Sequence, residues 1–148
     1  MHTRLITTLL TSIALVAATA GSVMASGDGT RSTVAVKSSS YGRILFDGRG
    51  FVLYGFTRDP RGKSVCTGAC AKAWPPYIVK SHPRAGAGVG AARLGTIKRP
   101  DGSLQATYAG RPLYYYIGDK RPGQILCQNV TEFGGVWRVI RPRGLLVR

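Results

Sequence analysis

Acidic residues are scarce in this chain, with six Asp and Glu in 148 residues against 21 Lys and Arg. So few carboxylates leave little material for the paired acid and base that proton-transfer chemistry needs. One of the six, Asp28, falls in a small, polar stretch outside the patterned part of the chain. Histidine is scarcer still, and beyond the N-terminal leader only His82 is present, beside Pro83. There is no serine in a nucleophile elbow and no glycine-rich loop with a phosphate-binding lysine after it. "GAGVG" (86–90) lacks the spacing and the strand–helix setting of a dinucleotide loop. An enzyme would have to be built from Asp59, Asp119 or the cysteines alone, and none is expected.

Long apolar runs are also missing. Leu5 to Ala20 is 16 mixed residues, short of the roughly 20 apolar residues that a spanning helix needs. With Arg4 before it and Ala18-Thr19-Ala20 or Val23-Met24-Ala25 after it, the segment has the layout of a secretory signal peptide over 1–25, cleaved near Ala20 or Ala25. No cysteine stands near either cleavage pattern, so a released protein without a lipid anchor is expected. Residues 26–40 are small and polar around a short Val-Ala-Val and read as a flexible lead-in. Residues 41–148 are enough for one domain with a core and too few for two ordinary ones.

Loss of the leader removes only Arg4 from the excess behind the formal net charge of +15. Inside a cell that excess would point to nucleic acid. For an exported protein the counterparts are anionic cell-envelope polymers or a membrane surface, and no nucleic acid is expected. The cations are scattered from Arg31 to Arg148 with no dense run, which fits either a solubilising surface or an anion-binding face.

An internal repeat is the strongest structural signal. "GFVLYGFTRD" (50–59) and "GRPLYYYIGD" (110–119) coincide at Gly50/Gly110, Leu53/Leu113, Tyr54/Tyr114, Phe56/Tyr116 and Asp59/Asp119. After a one-residue insertion "GKSVC" (62–66) aligns with "GQILC" (123–127), and each half then reaches a tryptophan, Trp74 and Trp137. Repeat one is placed at about 41–80, a glycine-rich mobile connector at 81–95 and repeat two at about 96–148. Apolar runs flank Asp47-Gly48-Arg49-Gly50, and further turns are expected at Pro100-Asp101-Gly102, Ala109-Gly110 and Pro142-Arg143-Gly144. "CAKAW" (70–74) suits a short helix, stopped by Pro75 and Pro76. Alternation puts Tyr54 with Phe56, and Tyr114 with Tyr116, on one strand face. Asp59 and Asp119 then follow their strands, where a carboxylate accepts loop N–H bonds. Most of the rings are assigned to the core, and Tyr115 on the other face is left as a platform for a sugar or an apolar partner.

The three cysteines leave several arrangements open. A Cys66–Cys70 bridge requires a turn rather than regular helix, because Cβ atoms four apart on a helix lie about 5–6 Å from each other and a disulfide needs about 3.5–4.5 Å. Thr67-Gly68 supplies such a turn. That short loop is worth about 2 kcal/mol, whereas Cys66–Cys127 would join the repeats and contribute about 4 kcal/mol. Alternatively Cys66, Cys70 and Cys127 as thiolates could hold Cu(I) or Zn(II), or form a redox couple.

The run "LYGFTRD…SVCTGACAKAWPP…LGTIKRPDGSLQATYAGRPLYYYIGD…PGQILCQNVTEFGGVWRVI" resembles the bacterial secreted-repeat family of predicted lipoproteins with a Tyr-x-aromatic-x-x-Asp motif. Here the motif falls on Tyr54, Phe56 and Asp59, and on Tyr114, Tyr116 and Asp119. The resemblance implies an extracytoplasmic address and a Cys66–Cys70 pair that stands without Cys127, which is then a buried free thiol. The combined expectation is an all-β domain, two pseudo-repeats of short antiparallel strands in a compact sandwich or small barrel with one short helical segment. Its expected role is a non-enzymatic envelope binding or structural module without a cofactor. The alternative is a thiol or soft-metal (Cu or Zn) electron-transfer protein centred on the cysteines.

Overall fold

The computed structural model describes residues 33–148; the signal peptide and residues 26–32 of the lead-in lie outside them. The elements in order are β1 (Thr33–Ser39), β2 (Gly42–Asp47), β3 (Tyr54–Phe56), α1 (Ala69–Ala73), β4 (Ile78–Val79), β5 (Arg84–Ala85), a 3-10 turn (Ala91–Arg93), β6 (Leu94–Lys98), β7 (Leu104–Tyr108), β8 (Arg111–Pro112), β9 (Val130–Glu132) and β10 (Gly135–Val139). They form three small sheets, ordered β2-β1-β5, β3-β10-β9 and β4-β7-β6 with β8 beside β7. The chain is therefore dominated by strands in two repeats, as the sequence implies, and the sheets do not close into a barrel. No helix among the described residues is long and apolar enough to cross a membrane.

Two segments read as loose are ordered. Residues 33–39 of the lead-in are β1, antiparallel to β2 from Val34↔Asp47 to Ser39↔Gly42. Val34 and Val36 alternate into the core, and burying each contributes about 1.5–3 kcal/mol, which a reading of polar composition undervalues. The connector runs parallel to the same strand through Thr33↔Arg84 and Val34↔Ala85. His82 has both ring nitrogens against carbonyl oxygens, Nδ1 at 3.0 Å from Pro83 and Nε2 at 3.2 Å from Leu94.

The expected turns are present. Asp47 Oδ1 accepts the N–H of Arg49 and of Phe51, both at 2.9 Å, and closes the first hairpin. Ala109 and Gly110 both take positive φ, 49° and 74°, in the two-residue turn joining β7 to β8. α1 ends at Trp74, whose N–H bonds Cys70 O before the two prolines.

Neighbouring residues of one strand feed two different cores. Ile44, Phe46, Val52, Tyr54, Tyr114 and Val139 enter one cluster with both tryptophans, while Leu45, Leu53, Leu113 and Ile140 enter the other. A strand sandwiched on both faces reads as a continuous apolar run rather than as alternation, which accounts for "RILFD", "FVLYGF" and "PLYYY".

Candidate functional site

The motif residues meet where the repeats cross. Tyr54 and Tyr114 lie opposite one another in an antiparallel bridge and exchange both backbone bonds, at 2.9 and 3.0 Å. Such a pair is itself twofold symmetric, and equivalent contacts repeat about it. Gly62 N–H donates to Gly110 O at 2.7 Å, and Gly123 N–H to Gly50 O at 2.9 Å. Each glycine of the four has positive φ, a conformation that a side chain would strain.

The tyrosine hydroxyls then cross over. Tyr54 donates to Asp119 Oδ2 at 2.8 Å and Tyr114 to Asp59 Oδ2 at 2.6 Å. The second oxygen of each carboxylate takes a loop amide, Val65 N–H at 2.8 Å for Asp59 and Leu126 N–H at 3.0 Å for Asp119. The motif thus needs its tyrosine and its aspartate for a reason that neither repeat could satisfy alone. Each Asp is the partner of the other repeat's Tyr. Burial, more than any neighbour, holds both carboxyls above the ordinary carboxylate range. It also pushes both phenols well above their usual value, with the paired carboxylates adding to the effect.

The tryptophans stack at the centre, with centroids 4.0 Å apart and planes 3° from parallel. Trp137 stacks on Phe56 at 4.1 Å and meets Tyr114 edge-on, while Trp74 packs on Tyr116 at 4.7 Å and meets Tyr54 edge-on. The symmetry breaks at the indole N–H groups. That of Trp74 donates to Glu132 Oε2 at 2.8 Å, whereas that of Trp137 is buried with no hydrogen-bond partner.

The cysteines divide in the same way. Cys66 and Cys70 form a disulfide, across a turn in which Gly68 has φ 56° and Cys70 N–H reaches Thr67 O. Bonded sulfurs offer no thiolate to a metal, and no group of three or more His, Cys, Asp or Glu among the described residues is arranged to hold one. Cys127, the counterpart of Cys66, is a buried free thiol. Burial pushes that thiol up, against a hydrogen bond from Tyr116 that pulls it back. Tyr115 is no open platform, since its hydroxyl donates to Asp47 Oδ2 at 3.0 Å and its ring packs against Tyr77.

Sequence reasoning missed Arg99. Its guanidinium is buried, donating to Ser64 Oγ at 3.0 Å, Gln105 Oε1 at 2.6 Å and Cys66 O at 2.8 Å. Ser64 Oγ lies 2.7 Å from the Tyr114 hydroxyl, so Arg99 ties the disulfide loop to the Tyr114–Asp59 pair. In "IKRPDG" nothing separates this arginine from the exposed cations. Asp47, read only as a turn residue, also anchors Tyr115.

Every motif side chain is thus engaged within the protein, and the arrangement joins the two repeats. No curated protein and no solved structure matches the chain. Residues 35–77 and 95–141 each match the sequence profile of a family described as a secreted repeat of unknown function. The matched segments bracket the crossed tyrosines and the stacked tryptophans, and the chain belongs to that secreted-repeat family, with two copies of its repeat.

Proposed function

We propose that this protein is a non-enzymatic binding or structural module of the bacterial cell envelope that associates with anionic surface polymers. The observation that carries this reading is the fate of the carboxylates. Asp47, Asp59 and Asp119 serve tyrosines and turn amides, Asp101 serves Ser103, and Glu132 serves Trp74. Among the described residues the one ion pair between side chains is Arg49 with Asp47, at 2.9 Å. Apart from the buried Arg99 and the paired Arg49, the Lys and Arg side chains of the described residues are at least partly exposed with no carboxylate paired to them, a field that attracts polyanions.

Co-sedimentation of the purified protein with isolated envelopes over a salt series tests the proposal. Binding should be strong at low salt and weaken as salt rises past the point where the Debye length is about 10 Å. Protein that stays in the supernatant at low salt, or sediments equally at high salt, would contradict it.

A further inference from the structure

Four arginines, one from β8 and three from the stretch 138–148, line one cavity. Arg111 comes from β8, Arg138 from β10, and Arg141 and Arg148 from the segment that follows; Thr57, Leu145 and Leu146 complete the wall. The cavity has a volume of about 570 Å³ and no Asp or Glu in its lining. Two of the guanidiniums are fixed by their inner nitrogens, Arg111 Nε to Gly144 O at 3.1 Å and Arg138 Nε to Asn129 Oδ1 at 2.9 Å. Fixing Nε leaves the terminal nitrogens of each fork for another acceptor. Thr57 Oγ1 accepts the Val136 N–H at 2.8 Å, so its own proton is also available to a ligand.

We infer that this arginine-lined cavity is a phosphate site that takes phosphodiester groups of an anionic polymer. The inference rests on the envelope reading above and gives it a location. All the cations of the wall are arginine, whose planar fork binds phosphate bidentately where lysine acts as a point charge. Forks arriving from two chain segments, β8 and the stretch from Arg138 to Arg148, suit a tetrahedral group, which presents oxygens in several directions, better than a planar carboxylate. The volume exceeds one phosphate, so a polymer can place successive phosphodiesters among the four positive charges. Burial and the neighbouring Arg61 both hold the Arg111 guanidinium below its ordinary value, the mark of a cation lacking a counter-charge.

The test is titration of the intact protein with soluble poly(glycerol phosphate), in parallel with polygalacturonate and with phosphatidylglycerol vesicles. Arg141→Gln with Arg148→Gln removes two cavity charges, and Lys120→Gln with Arg121→Gln removes two charges elsewhere. The cavity variant should lose about tenfold or more in affinity for poly(glycerol phosphate), and the control pair only about twofold. Equal losses in the two variants would overturn the site while leaving the diffuse charge attraction standing. Equal affinity for polygalacturonate would overturn phosphate as the ligand, and binding to vesicles alone would overturn a polymer. Wild-type protein that binds no polyanion at low salt would overturn the envelope reading itself.

Discussion

The two ends of the crossed motif are built to one plan and finished differently. At the Asp59 end the carboxylate and Tyr114 connect through Ser64 to the buried Arg99, which also holds Cys66 O beside a closed disulfide. At the Asp119 end Ile125 takes the position of Ser64, no arginine among the described residues bonds to Tyr54 or Asp119, and Cys127 remains a thiol next to Tyr116. The shared part is set by geometry, because a twofold-related Tyr–Asp exchange satisfies both hydroxyls and both loop amides at once. The divergent part shows that, once the exchange is in place, the loops around it are free to take either a polar brace with a staple or an apolar filling with a free thiol.

Arg99 offers the largest way to break this comparison. Arg99→Met keeps the stem and removes the donors to Ser64, Gln105 and Cys66. Leaving Gln105 Oε1 and Cys66 O without the guanidinium should cost about 2–4 kcal/mol in chemical denaturation. A loss under about 0.5 kcal/mol, the level of an ordinary surface substitution, would mean that the brace contributes nothing and that the two ends are energetically alike.

The cysteines come next. Replacing Cys66 and Cys70 together by alanine should remove about 2 kcal/mol, the value of closing so short a loop. Cys127→Ala should cost about 1 kcal/mol, the burial of one small apolar group. Native protein should block slowly with a thiol reagent, at one site, and quickly once unfolded. The reverse order of stabilities would show that the free thiol, not the staple, holds its end together.

The smallest effect separates the tryptophans. Trp74→Phe breaks the bond to Glu132, whereas Trp137→Phe removes an N–H that has no partner. Trp74→Phe should therefore be the more destabilising by about 1 kcal/mol, read as a difference in denaturation midpoint at equal slope. Equal costs would indicate that a bound water completes the Trp137 indole and restores the symmetry.

Much of this was legible because it is local or repeated. The Asp47-Gly48-Arg49-Gly50 turn, the helix halted by Pro75 and the loop-amide role of Asp59 and Asp119 follow from side chains acting on backbone a few residues away. The doubled motif gave the two-repeat architecture. The Cys66–Cys70 pairing was implied by family resemblance, and the structure contains it. By contrast β1 is hidden by its polar composition although its hairpin with β2 is local, and the connector is hidden because its pairing, Thr33 with Arg84, spans about half a domain of sequence and leaves no local mark.

By itself, then, the sequence determined the repeat, the turn chemistry, the cationic excess and the list of residues that recur. Only the tertiary structure decided that each aspartate serves the other repeat's tyrosine, that Tyr115 is spoken for by Asp47, that Arg99 is inside, and that Arg111 shares one cavity with Arg138, Arg141 and Arg148. The physical reason is common to all four. A hydrogen bond or a charge cluster depends on distance in space, and composition and spacing record only distance along the chain.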